Sequence, residues 1–172
     1  GDSLTAGFTQ LDSIYSVVNL GISGNKTIDL IGRIYEVIDN QPDQVFLLIG
    51  TNDYLVTEGY WQIKLTIDFT VLYHALITLL KDNLPDATIY AVSIPPVQLR
   101  ETYDSVKANM DIDQLNLYIK EETELFQTVF LDLNSALKNK DNMIDKDYTT
   151  DGVHFTPLGY QVYFDLVRKY LS

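Results

Sequence analysis

The chain has 172 residues, 46% of them hydrophobic and 21% charged, which is enough for one domain, residues 1–172, with a sizeable core. Its formal net charge of -12 argues against electrostatic docking on nucleic acid or an anionic membrane, since both need clustered Lys and Arg. With no cysteine, disulfides, thiolate metal sites and a cysteine nucleophile are excluded.

The predicted elements alternate along the chain. A turn-like Gly1-Asp2-Ser3-Leu4 comes first, followed by an apolar, β-branched run over 16–22 that reads as a buried strand. Residues 27–40 return Leu, Ile and Tyr every three or four positions and read as a helix. Strand 44–49, helix 61–83, strand 88–94, helix 106–126, strand 128–133 and helix 157–171 complete the pattern. No apolar run reaches membrane-spanning length. Strand followed by helix, repeated, implies right-handed crossovers and an α/β sandwich whose parallel sheet carries helices on both faces. In such a sheet, functional residues gather at the carboxyl ends of the strands. The loops there carry Gly24-Asn25, Gly50-Thr51-Asn52-Asp53 and Pro95-Pro96, and a late loop carries Asp151 and His154.

A serine hydroxyl becomes a useful nucleophile when an imidazole takes its proton and a carboxylate orients that imidazole. Only two histidines are present, His74 and His154. Asp151 stands three residues before His154 in a loop rich in Thr, Asp and Gly, whereas His74 lies inside an amphipathic helix and reads as structural. Ser3, Asp151 and His154 are therefore the candidate catalytic set. Residues 21–27 look superficially like a phosphate-binding loop, but two residues rather than four separate the glycines and Asn25 interrupts the required Gly-Lys-Thr. Asp141, Asp145, Asp147 and Asp151 do not follow a calcium-loop spacing.

Gly1-Asp2-Ser3-Leu4, Asn19-Leu20-Gly21-Ile22-Ser23-Gly24, Gly50-Thr51-Asn52-Asp53 and Asp151-Gly152-Val153-His154 resemble, in order, the four blocks of the SGNH (GDSL) hydrolases. The resemblance implies a three-layer, flavodoxin-like fold and maps the Ser, Gly, Asn and His of the family name onto Ser3, Gly24, Asn52 and His154, with Asp151 completing a triad. It also implies an oxyanion hole formed by the backbone N–H groups of Ser3 and Gly24 and the Asn52 side-chain amide, with no metal or organic cofactor. The activity implied is hydrolysis of a carboxylic ester through an acyl-enzyme. A small acyl group on a carbohydrate or another polar alcohol is favoured over a lysophospholipid or acyl thioester, and a non-catalytic binding module is the remaining alternative. The acyl pocket is expected from residues 54–61 and 95–103. Because the resemblance places the nucleophile after the first strand of the sheet, an apolar strand is expected upstream of Gly1. The compartment, cytoplasmic or secreted, stays open.

Overall fold

The computed structural model describes residues 1–12, 16–55 and 62–171, and for 62–68 the backbone alone. Three parallel strands, β1 (Gln44–Leu47), β2 (Thr88–Val92) and β3 (Val129–Leu131), lie in the order β1-β2-β3. Phe46 is in register with Tyr90, and Ala91 with Phe130. Because strand side chains alternate between faces, Leu47, Ile49, Ile89 and Ala91 enter one core, while Leu48, Tyr90, Val92 and Leu131 enter the other. The sheet is thus covered on both sides, the α/β sandwich implied by near-continuous apolar strands.

Around the sheet stand α1 (Ser3–Ala6), α2 (Thr27–Gly32), α3 (Tyr35–Ile38), α4 (Thr51–Leu55), α5 (Gln62–Asn83), α6 (Ser105–Leu125), α7 (Leu133–Leu137) and α8 (Pro157–Val167). Helix α5 turns Phe69, Tyr73, Leu76, Ile77 and Leu80 into the first core, the i, i+4, i+7, i+8 stripe of a core-facing helix. The same spacing in α6 buries Ala108, Ile112, Leu115 and Ile119 against it. On the opposite face α8 contributes Tyr163 and Val167, beside Leu133 and Leu137 of α7. Each fully buried aliphatic side chain of this kind stabilises the fold by roughly 1.5–3 kcal/mol. Among the described residues no helix is long and apolar enough to cross a membrane.

Two expected elements differ from the pattern. Residues 16–22 form no strand. Side chains meet two of their backbone groups, as Asn19 Oδ1 accepts from Gly21 N and Arg33 donates to the Leu20 carbonyl, while Asn19 Nδ2 donates to the carbonyls of Thr5 and Phe8. One backbone bond, Ile22 N to Gly1 O, ties the segment to the chain start. A cavity of about 550 Å³, lined by Val17, Leu20, Leu30, Val45 and Val167 among others, lies between the segment and β1. Val18 remains 62% exposed, so an apolar run was not by itself a buried strand. The single helix expected over 27–40 is instead α2 and α3, because Arg33 leaves helical geometry at φ -125° and its side chain reaches back to the loop before α2. Position 61 of the expected helix 61–83 lies outside the described residues.

Candidate active site

Ser3 is the first residue of α1, held there by Asp2, whose side chain accepts from Leu4 N at 3.0 Å as the helix cap. Asp2 is fully buried. Burial pushes its carboxyl up to about 6, opposed by the Leu4 hydrogen bond, and its second oxygen, Oδ2, has no hydrogen-bond partner among the described residues. Across the site, residues 149–155 form a tight hairpin in which Thr149 bridges Phe155 and Thr150 N donates to His154 O. Thr156 caps α8 directly after it, with Pro157 in the first turn. The hairpin sets His154 opposite α1: Ser3 Oγ lies 3.2 Å from His154 Nε2.

Behind the imidazole, His154 Nδ1 lies 2.7 Å from Asp151 Oδ2, while Asp151 Oδ1 accepts from the backbone N–H groups of Val153 and His154 at 3.0 and 2.8 Å. Burial would raise the Asp151 carboxyl, but the His154 and Val153 hydrogen bonds outweigh it and hold the group below its ordinary value. The carboxylate therefore stays charged at neutral pH, where it fixes the ring so that Nδ1 carries the proton and Nε2 faces Ser3. Gly152 permits this turn for two reasons. Its φ of +90° suits glycine, and a Cβ there would collide with the carbonyl oxygen of Gln98. Gln98 N in turn donates to Gly152 O at 2.8 Å, which fastens the hairpin to the loop leaving β2.

The remaining expected residues come to the same edge. Asn52 sits in α4 immediately after β1, and its Nδ2 donates to Asn25 O at 3.0 Å, which places it against the glycine turn. Gly24 has φ +82°, and a Cβ there would meet nothing within 4 Å, so the turn opens onto free space. Ser3 N and Gly24 N donate no hydrogen bond among the described residues. Lys26 N and Thr27 N, which a phosphate-binding loop would aim at its ligand, are taken by Asp29 and by Asp53. His74 stands apart on α5, with Nδ1 2.9 Å from Glu122 Oε2 of α6 and its ring edge-on to Phe126.

Several site-forming residues escaped the pattern. Asp53, only 4% exposed, accepts the Thr27 N–H with both oxygens and anchors α2 to α4. Asn109 and Asn116 of α6 hold the backbone of Val97 and Ile94 through paired amide bonds of 2.7–2.9 Å, fixing the loop that carries Gln98. Arg33 donates to the backbone carbonyls of Gly1 and Leu20 and to the side chains of Asn25 and Glu36. Polar residues on the buried face of a predicted helix were the available signal for the two asparagines. Positions 56–61 of the expected acyl pocket lie outside the described residues.

Residues 1–162 match the GDSL-like Lipase/Acylhydrolase family. The chain belongs to that family. Its fold is the family's α/β fold. A Streptococcus pneumonia protein provisionally described as a platelet activating factor superposes with a TM-score of 0.81 at 27% identity, over 100% of this chain and 81% of its own. A catalytic mutant of an acetylxylan esterase from Geobacillus stearothermophilus superposes at 0.72 with 24% identity, over 96% and 78% of the two chains. In sequence, the chain is 32% identical over 153 residues to an N-acylneuraminate cytidylyltransferase of Escherichia coli; the match covers 85% of this chain and 33% of that one. The GDSL chain thus spans about a third of the length of that relative.

Proposed function

We propose that the protein is a serine esterase that cleaves a small acyl group from a carbohydrate or another polar alcohol. The observation that carries this reading is the unbroken relay from Ser3 Oγ to His154 Nε2 and from His154 Nδ1 to Asp151, at 3.2 and 2.7 Å. Ser3 Oγ attacks the ester carbonyl carbon as His154 Nε2 takes its proton. The resulting oxyanion is met by Ser3 N, Gly24 N and Asn52 Nδ2, three donors of which two are unspent and the third is oriented by Asn25. Collapse breaks the bond to the alcohol, which leaves with the proton from His154. Water, activated by the same base, then attacks the acyl-serine, breaks its ester bond and releases the acid. Asp151 stays ionised throughout and supports the imidazolium formed in both steps.

Exposure supports a polar alcohol. The His154 and Asp151 side chains are 51% and 54% exposed, and the 550 Å³ cavity is lined by none of the triad. An open triad suits an acyl group short enough to need no tunnel, carried on an alcohol that stays solvated. The name of the Escherichia coli relative, which handles an acylated sugar acid, supports a carbohydrate as that alcohol.

A panel of p-nitrophenyl esters from acetate to palmitate tests the proposal, with a fluorophosphonate probe beside it. Turnover highest for acetate, covalent labelling of the parent, and loss of both in a folded Ser3→Ala variant are the expected results. Preference for palmitate would replace the carbohydrate reading with the lipid one. Labelling or turnover retained within a few-fold by Ser3→Ala would overturn the nucleophile.

A further inference from the structure

The side chain of Arg33 is 11% exposed, yet it belongs to no part of the relay. It leaves the C-terminal end of α2 and ends among groups from three segments. Nη2 donates to the Leu20 carbonyl at 2.9 Å and to the Gly1 carbonyl at 3.3 Å, and Nε donates to Asn25 Oδ1 at 2.8 Å. Nη1 meets Glu36 Oε2 at 3.0 Å, which sets the plane of the guanidinium. The two backbone carbonyls and the Asn25 side chain all lie close in sequence to a proposed oxyanion donor. Gly1 is two residues before Ser3, and Leu20 and Asn25 bracket the turn that contains Gly24. Asn25 also accepts the Asn52 amide through its backbone carbonyl, at 3.0 Å.

We infer that Arg33 is the positioning residue of the oxyanion hole, a single buried cation that sets the spacing of Ser3 N, Gly24 N and Asn52 Nδ2. The inference rests on the serine-esterase reading of the site. Its physical basis is the shape of the group. A guanidinium is a rigid planar fork with five N–H donors, so it can fix three acceptors at defined angles, which a lysine ammonium on a flexible stem cannot. The turn around Gly24 is closed by Asn25 N donating to Ile22 O and tied by Ile22 N to Gly1 O and by Asn52 Nδ2 to Asn25 O, and Arg33 is the group that joins both of its flanks, at Leu20 and Asn25, to Gly1. Displacing a donor by a fraction of an ångström weakens a contact made to the developing charge, and a misplacement of about 1 Å can cost on the order of a hundredfold in rate. Among the described residues no hydrogen bond or ion pair joins Arg33 to His154 or Asp151, which orient each other.

The experiment uses Arg33→Ala and Arg33→Lys in the full chain, with circular dichroism to establish folding. Expected is a fall in kcat of about ten- to a hundredfold in both variants, with KM within about twofold, and a parallel loss of affinity for a trifluoromethyl ketone that mimics the tetrahedral adduct. Low millimolar guanidinium should restore part of the Arg33→Ala rate where sodium chloride of equal ionic strength does not. In ¹⁵N spectra, the Gly24 backbone amide and the Asn52 side-chain amide should both shift. A variant that loses thermal stability while keeping kcat within about threefold would make Arg33 a structural residue and overturn the inference. If the parent itself hydrolyses no ester, the esterase reading fails. The amide spectra then decide alone, and unmoved Gly24 and Asn52 signals would refute the positioning role.

Discussion

Asp2→Asn tests what the fold gives up to seat Ser3 at the start of α1. The Asp2 carboxyl is fully buried, and burial raises it from 3.8 to about 6. A proton is therefore bound more tightly in the folded chain than in the unfolded one. The corresponding stability is fully present below pH 3.8, drains away as the pH rises through about 6, and is absent above it. A displacement of about two pH units corresponds to roughly 3 kcal/mol. Asparagine keeps the capping oxygen for Leu4 N and cannot ionise, so the variant escapes that loss. Its unfolding free energy should exceed the parent's by up to about 3 kcal/mol at pH 7.5, with the gap closing by pH 4. For a chain of this length the gap corresponds to a Tm difference of roughly 6–12 °C. Urea unfolding followed by circular dichroism, for both proteins at five pH values between 4 and 8, measures it. A gap that is the same at pH 4 and pH 7.5 would show that Asp2 titrates alike in both states, and the account of its burial would be wrong. The neighbouring charges are Asp53 and the Gly1 amine. The amine, itself lowered to about 6 by burial and by Arg33 and held up in part by Asp2, loses that support in Asp2→Asn, so its titration adds to the pH-dependent difference.

The remaining predictions concern the site. Asn52→Ala should lower kcat by about a hundred- to a thousandfold with KM little changed, since the charge it meets exists in the transition state; a raised KM at constant kcat in steady-state assays would make it a substrate-binding residue. Asp151→Asn should depress kcat/KM strongly but less completely than His154→Ala, because ring orientation is lost while the base remains. Equal activity of Asp151→Asn and parent would assign the orienting role to another acceptor.

The sequence by itself determined the class of fold and named three residues that the structure brings within hydrogen-bonding distance of one another. Near-continuous apolar runs at 44–49, 88–94 and 128–133 can be satisfied only by burial on both faces, and the structure places β1, β2 and β3 inside them. Asp151 and His154 were legible because a spacing of three within a Gly-containing turn is a local geometry, and Ser3 through the resemblance of Gly1-Asp2-Ser3-Leu4 to the family's first block. What the sequence could not decide were contacts between residues far apart along it. Residues 16–22 have the composition of a strand, but a strand exists only where a neighbour supplies its ladder. Here Asn19 and Arg33 meet the Gly21 amide and the Leu20 carbonyl instead. The break between α2 and α3 has the same origin, since helical periodicity continues through Arg33 while its guanidinium is drawn to the carbonyls of Gly1 and Leu20. Asn109 and Asn116 resemble misplaced polar residues in α6 until the loop at 94–97 folds onto them. Local pattern records which face of an element is apolar, but the partner of a buried polar group is chosen only when the chain closes, and at this site those partners hold the loops that carry Ser3, Gly24, Asn52 and His154.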